Sequence, residues 1–293
     1  MSQGGRGEAK SAVLVTGAAG KLGRALVLLL RARHQPVRLF DLPEALEGLG
    51  DNWSGQAVAG DIRSRHDVRR VLDGVGVVVH LAAVLPPLSE QEPDLTRTVN
   101  VDGTRTLLES LPGDMTLIFA SSVATYGVPQ TSPVSETHPQ RPLDVYGKSK
   151  VEAESLVKAS PASWTILRFA PIAVPEVLDL PDPWPFTREQ DVEFVALQDA
   201  ATAVVNAIDN PQARRRILNI AGGRGWQMTG EAYSAHISSA FDLDPSWATF
   251  REGPGWAGWY DTSESQAALA YQKTDFEAFI AHLRQLYMLA VGA

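Results

Sequence analysis

The feature that most restricts the fold of this chain is a strand that runs straight into a glycine-punctuated turn and then a helix. Ala12 to Thr16 (AVLVT) is apolar with no alternation, the pattern of a strand covered on both faces of a parallel sheet. Gly17, Gly20 and Gly23 follow, and Leu22, Ala25, Leu26, Leu29 and Leu30 then recur at helical spacing. Glycines here allow a tight turn, close approach of a pyrophosphate to backbone N–H groups, and close packing of helix on strand. A second strand, Val37 to Phe40, leads into Asp41. A carboxylate about twenty residues beyond such glycines can accept hydrogen bonds from a ribose diol and repel a 2′-phosphate, which favours NAD over NADP. Capping of a strand end is the plainer role for the same residue.

Further strands repeat the pattern. Gln56 to Ala59 is a short third strand ending in Gly60-Asp61-Ile62, where Asp61 faces an adenine edge or simply serves a turn. His66 to Leu72 reads as helix, and Val75 to Leu81 (VGVVVHL) as a fourth buried strand in which His80 is a core histidine. Ala82 and Ala83 are small enough to let a dinucleotide pass over the strand end, and Pro86-Pro87 open a loop of the kind that borders a substrate pocket. A helix over Thr98 to Ser110 carries Asn100 near its start. Met115 to Ala120 is a fifth strand that delivers Ser121 and Ser122 at its carboxyl end, where open α/β sheets bind ligands. A serine there either bonds a substrate oxygen or caps the strand. Trp164 to Phe169 is the sixth strand, with Arg168 near its end.

Beyond it, five prolines from Pro171 to Pro185 mark a loop region. Phe194-Val195 and Asp199 to Ile208 read as strand then helix, Ile217 to Ile220 as another strand, and Thr274 to Leu286 as a closing amphipathic helix. No apolar helix follows the glycine-rich Ala221 to Gly225 at once, so that stretch reads as a loop. The aromatic run Trp256 to Tyr260 packs on the sheet or walls a pocket. The expected fold class is α/β, a Rossmann-type doubly wound parallel sheet. Residues 11–170 form the dinucleotide-binding domain, and 171–293 a small C-terminal substrate-binding region, of which about 192–225 returns to the sheet. The polar, glycine-rich residues 1–10 read as a disordered tail rather than a leader peptide.

Chemistry is carried by Val145 to Lys150 (VYGKSK), which precedes the helix-forming VEAESLVKA. Tyr146 and Lys150, four apart, stand on one helix face. A tyrosine works as an acid or base near neutrality only if its pKa falls from ~10 towards ~7, a differential stabilisation of about 4 kcal/mol. One ammonium at ~4 Å in an effective dielectric of ~20 supplies about that much. Lys150 is therefore expected to tune Tyr146. A pair of solvated residues on a surface helix is the plainer reading of the same spacing.

Composition excludes several other classes. A formal charge of −8 with no run of Lys or Arg argues against nucleic-acid binding. With no cysteine there is no disulfide, thiolate metal site or cysteine nucleophile, which fits a cytoplasmic protein. The longest apolar run, Ala25 to Leu30, is far short of a membrane span. The six histidines form no HxxxH or HxH pair, so no metal site is expected. Ser122 lies in ASSVA, not in the GxSxG elbow of a serine hydrolase.

Taken together, these motifs make the chain resemble the extended short-chain dehydrogenase/reductase family, nearest its epimerase/dehydratase branch and small sugar-acid dehydrogenases, from Val13 to about Leu286. TGAAGKLG (Thr16 to Gly23) matches the family's glycine motif, Asp41 its NAD-selecting acid, and Asp61-Ile62 its adenine-side pair. HLAA (His80 to Ala83), Asn100 of NVDGT, SSVATYG (Ser121 to Gly127), Tyr146 with Lys150, and LRFAP (Leu167 to Pro171) match the motifs that follow. The resemblance implies an NAD-dependent oxidoreductase with Ser122, Tyr146 and Lys150 as catalytic residues. It implies NAD contacts from Gly17, Gly20, Lys21, Leu22, Gly23, Asp41, Asp61, Ile62, Leu81, Ala82, Ala83, Asn100, Tyr146 and Lys150. It also implies a homodimer formed through the helices of Asn100 and Tyr146. Candidate substrate-pocket residues are Val84, Pro86, Ser122, Tyr126, Pro171, Trp184 and Trp226.

Departures from the family pattern narrow the reaction. Val123 and Ala124 stand where dehydratases carry an Asp-Glu pair, and Pro171 where nucleotide-sugar enzymes usually present an asparagine. A simple dehydrogenase or reductase of a small sugar-like or hydroxy compound is the reading favoured. A nucleotide-sugar 4-epimerase would use the same residues, and an NAD-sensing protein without catalysis is the third possibility. If Asp41 selects the cofactor, Asp41→Ala relaxes the preference for NAD over NADP by tenfold or more, about 1.4 kcal/mol. Measurement of both nucleotides' dissociation constants checks this, and a wild type that already prefers NADP rejects it.

Overall fold

The computed structural model describes residues 11–50, 53, 57–113, 115–177 and 179–292. The tail 1–10 and Gln56, the expected first residue of the third strand, lie outside these. The buried apolar runs become β1 (Ala12–Thr16), β2 (Val37–Asp41), β3 (Ala57–Ala59), β4 (Val75–His80), β5 (Thr116–Ser122) and β6 (Ser163–Phe169). Short pieces follow: β7 (Ile172–Ala173), β8 (Asp191–Val192), β9 (Val195–Ala196), β10 (Ile217–Ile220) and β11 (Met228–Thr229). Seven of these form one sheet in the order β10-β6-β5-β4-β1-β2-β3, all pairs parallel. From β1 the order runs one way to β2 and β3 and the other way to β4, β5 and β6. The crevice at such a switch point, outside the carboxyl ends of β1 and β4, is where ligands of this architecture sit.

Both faces of the sheet are covered, which is why its strands carry apolar residues without alternation. Leu26 and Leu30 of the Lys21–Ala32 helix and Val204 and Ile208 of the Leu197–Ile208 helix pack on one face. Val68, Leu107, Ala153 and Val157 cover the other, from the Arg65–Val71, Thr104–Leu108 and Val145–Ala159 helices. His80 sits inside β4 as a core histidine, between Thr16 Oγ1 at 2.7 Å and Thr104 Oγ1 at 2.9 Å. Burial, with the Lys150 charge adding to it, pushes its pKa down to about 3.

A third apolar cluster lies in the C-terminal region, built on Phe186, Trp226, Tyr233, Phe276, Phe279 and Leu283. It corrects two expectations about the substrate pocket. Trp184 is 5% exposed and stacks on Phe186, and Trp226 is 1% exposed and packs on Phe276 and Phe279. Both are core residues of that cluster, because a loop region rich in prolines still needs an apolar centre.

The expected Thr98–Ser110 helix begins earlier, at Pro93, whose missing N–H suits a first helical turn. It passes through a π-helical stretch, Thr98–Gly103, before the Thr104–Leu108 segment. Asn100 lies in that widened stretch. The closing helix runs Phe276–Val291, capped by Asp275 accepting from Ala278 N.

One buried polar network ties the sheet to the Val145–Ala159 helix. Glu154, wholly buried, accepts from Arg168 Nε at 2.9 Å and Arg168 Nη2 at 2.7 Å, and also from Ser121 Oγ at 2.6 Å. Arg168 Nη1 donates to Tyr126 Oη and to the Glu136 carbonyl, both at 3.0 Å, and Tyr126 Oη donates to Asn219 Oδ1 at 2.6 Å. Tyr126, expected in the substrate pocket, is therefore a fully buried link of this network. Glu154→Ala leaves the Arg168 guanidinium buried without its carboxylate and lowers stability by about 3–5 kcal/mol. Glu152→Ala, which breaks an exposed pair with Arg97, loses under about 1 kcal/mol. Urea unfolding of both variants checks the contrast, and equal losses reject it.

Candidate functional site

The glycine turn has the geometry its residues predict. Gly17 adopts φ +69°, and a Cβ there would lie 2.7 Å from the Ala82 backbone nitrogen. Gly23 is equally crowded, with Gly17 O at 2.5 Å from such a Cβ. Gly20 opens the Lys21–Ala32 helix, where no side chain caps the first turn and no acidic residue lies in it. The backbone N–H groups of that turn are therefore the anion-binding end of a helix dipole.

Above the turn lie two adjoining cavities of about 600 and 530 Å³ that share Gly17, Gly20, Leu81, Ala83 and Leu85. The smaller one is walled by Asp41, Asp61, Ile62, Arg63, Ala82 and Val84. Asp41 is oriented by Ala19 N donating to Oδ2 and Leu42 N to Oδ1, both at 2.9 Å. The Arg63 guanidinium, 2.6 Å from Asp61, holds the Asp61 carboxyl below its ordinary range despite partial burial. Val84, expected against substrate, lines this cavity and not the other. Asn100, expected at the cofactor, is 2% exposed and lines neither. Its Oδ1 accepts from Val84 N at 2.7 Å and its Nδ2 donates to Val84 O and Ser149 Oγ. All its polar atoms are thus engaged inside the protein, where it pins the loop after β4 to the Val145–Ala159 helix.

The larger cavity gathers Ser122 from the end of β5, Tyr146 and Lys150 from the Val145–Ala159 helix, and Lys21, Leu22, Gly23, Pro86 and Pro171. Ser122 Oγ also accepts from Ala124 N at 3.1 Å, so it caps the turn that follows β5 as well as facing the cavity. Lys150 is buried and donates from Nζ to Ala120 O at 2.8 Å, lying 5.6 Å from the centroid of the Tyr146 ring. Burial lowers its pKa to about 8, against the raising effect of Glu154 one turn on.

The expected tuning of Tyr146 by Lys150 is not what the electrostatics show. Burial raises the phenol above its ordinary value, with a hydrogen bond to Ser122 pulling the other way. The ammonium is directed to a carbonyl, and withdrawal from water is the largest cause of the shift of each group. Tyr146 accordingly holds its proton at neutral pH, with its open surface facing the cavity.

Sequence reasoning missed several participants. Val145 N and Tyr146 N donate to the Glu90 carboxylate at 2.9 and 3.1 Å, and Gly147 N to Asp144 Oδ1 at 2.7 Å. Asp144 directly before a helical run was a legible cap signal; Glu90, from 55 residues away, gave none. Leu85, Ala124, Ile172, Val174 and Trp256 complete the wall. Trp256, from the aromatic run, is the tryptophan that reaches the cavity.

Several known proteins resemble this chain. A family model described as the NAD dependent epimerase/dehydratase family matches residues 13–178. A UDP-glucose 4-epimerase of Rhizobium meliloti (strain 1021) is 35% identical over 152 residues, 50% of this chain and 46% of that protein. A D-erythronate dehydrogenase of Cupriavidus necator is 36% identical over 159 residues, 50% of this chain and 49% of that protein. The chain thus spans about half the length of the curated relatives it matches. A solved structure of MoeE5 in complex with UDP-glucuronic acid and NAD superposes with a TM-score of 0.79 at 25% identity, covering 95% of this chain and 99% of that one.

Because burial depresses the Lys150 pKa, its charge destabilises the fold below about pH 8, and that burden lifts as pH rises from the folded value towards the unfolded 10.5. Lys150→Met is therefore expected to raise the unfolding midpoint at pH 7 by a few degrees, and the advantage to shrink between pH 8 and 10.5. Thermal unfolding without added nucleotide across this range checks it; a lower midpoint at pH 7 overturns it.

Proposed function

The chain belongs to the NAD dependent epimerase/dehydratase family, and we propose that it is an NAD-dependent dehydrogenase or reductase of the extended short-chain type. It acts on a hydroxyl or carbonyl group of a small sugar-like or hydroxy compound. One observation carries this reading: Ser122, Tyr146 and Lys150 open onto the same cavity as the glycine turn. NAD, when bound, supplies the hydride acceptor or donor. The residues present fit it. Gly17 to Gly23 offer an uncapped helix end to a pyrophosphate, Asp41 offers a carboxylate to a ribose diol, and Asp61 with Ile62 borders the adenine side.

The chain's own side chains manage the proton. Tyr146, protonated at neutral pH, donates to a carbonyl oxygen held by the Ser122 hydroxyl. The phenolate left behind forms beside an ammonium 5.6 Å from the ring centroid, and a lysine with pKa about 8 remains mostly charged at pH 7. In the oxidising direction Tyr146 first loses its proton to solvent, and the phenolate so formed accepts the alcohol proton. Help of this kind is typically worth 10²–10⁴-fold. The 171–293 region acts as the small substrate-binding part, contributing Pro171, Ile172, Val174 and Trp256 to the cavity. A homodimer formed through the helices of Asn100 and Tyr146, in the cytoplasm, belongs to the same proposal on the strength of the family likeness.

The 35% identity with a UDP-glucose 4-epimerase favours a second reading, 4-epimerisation by the same residues. NAD retained through purification, with interconversion of UDP-sugars, would select it. For either reaction, Tyr146→Phe leaves NAD affinity near normal while turnover falls at least ~100-fold. Titration of the nucleotide and steady-state rates check this, and an unchanged rate removes Tyr146 from the chemistry.

A further inference from the structure

Anions bind proteins through cations and through unsatisfied N–H groups. Among the described residues, the charged side chains lining the larger cavity are Lys21, Asp144 and Lys150; no arginine or histidine lines it. Each of the two cations is already engaged. Lys150 is buried against Ala120 O at the base of the cavity. Lys21 belongs to the glycine turn and pairs with Glu176 at 2.5 Å. The remaining charged group, Asp144, is a carboxylate.

The helix that delivers Tyr146 begins beside the same cavity, with Asp144 and Tyr146 in its wall, and a helix N-terminus ordinarily offers an anion site. That end is closed from within the protein. Val145 N and Tyr146 N donate to Glu90, and Gly147 N donates to Asp144. The helix of the glycine turn has no such cap. One helix end is thus left open for an anion, and the other is capped by Glu90 and by Asp144, of which Asp144 lines the cavity. Between them the wall is Leu85, Pro86, Ala124, Ile172, Val174 and Trp256.

Resting on the oxidoreductase reading of this cleft, we infer that the substrate is an uncharged hydroxy or keto compound with an apolar, ring-sized body lying against Trp256. In this cavity a hydroxy acid or a nucleoside diphosphate sugar would bring its negative charge beside Asp144, where the two lining cations, Lys21 and Lys150, are already engaged.

Three probes test this on the NAD-loaded wild type by calorimetric titration: 4-phenylcyclohexanone, its benzoate counterpart 4-(4-oxocyclohexyl)benzoate, and UDP-glucose. The neutral ketone is expected to bind at least a hundredfold more tightly than the benzoate, with no saturable binding of UDP-glucose. Trp256→Ala is expected to weaken the ketone at least tenfold while leaving NAD affinity unchanged. Binding of the benzoate or of UDP-glucose as tightly as the ketone overturns the inference, and so does failure of the ketone to bind. A separate assay with NADH distinguishes the two levels. A ketone that binds as expected but is not reduced by wild type speaks against the oxidoreductase reading and leaves the substrate class standing.

Discussion

The geometry of the candidate site depends on a buried ion pair that lines neither cavity. Glu154 and Arg168 meet through two charge-assisted hydrogen bonds, with exposures near zero. Such a pair gains little net stability over an apolar replacement but is costly to break on one side. Its consequence is positional. Glu154 stands one helical turn beyond Lys150 and two beyond Tyr146, so fixing it to β6 fixes the rotation of the Val145–Ala159 helix. Ser121, bonded to the same carboxylate, precedes Ser122, so the pair also locks the end of β5. Through Tyr126 and Asn219 the network extends to β10, and through Asn219 Nδ2 to the Val134 and Asp261 carbonyls. A small relative shift of β5, β6 or the helix would leave a buried charge with a missing partner.

Two helices begin beside one cleft, and their ends are treated in opposite ways. The end at Gly20 has glycine where a capping side chain would be, and it leaves its dipole available. The end at Val145 is satisfied twice over, by its own Asp144 and by Glu90 from a distant segment. Burial pushes the Glu90 pKa up, but the Val145 and Tyr146 N–H groups together with Ser89 and Lys148 hold it below its ordinary value, whereas burial keeps that of Asp144 above its own. The charge distribution of the site is therefore set less by exposed side chains than by which backbone dipoles are left uncapped.

How legible this was follows from the range of each interaction. The β1–turn–helix unit, the parallel sheet and the placing of Ser122, Tyr146 and Lys150 on one cavity are local or periodic facts, and strand-end chemistry is tied to its strand. The misplaced residues Tyr126, Trp184, Trp226 and Asn100 were decided by partners distant along the chain. Tyr126 lies four residues after Ser122, yet its hydroxyl is claimed by Arg168 and Asn219, which no spacing rule links to it. Trp184 and Trp226 stand among prolines and glycines and look like loop residues, but they form the centre of the C-terminal cluster. Asn100 is polar and near a cofactor motif, yet all its bonds go to Val84 and Ser149. Trp256 could be read from its aromatic run as pocket wall or as packing, and only its neighbours across the fold decided between them.

Burial also explains why the simple Coulomb estimate for the tyrosine–lysine pair overshoots. At ~4 Å and a dielectric of ~20, attraction of about 4 kcal/mol would bring the phenol near neutrality. That figure omits the desolvation of both groups, which raises Tyr146 and lowers Lys150 to about 8. A site in this state holds its proton on the phenol and its lysine close to losing one. Only further polar or charged groups beside the ring could offset the desolvation that the folded chain imposes on it. In the folded chain the phenol keeps its proton, and Lys150, buried and bonded to the Ala120 carbonyl, is a cation 5.6 Å from the centroid of its ring.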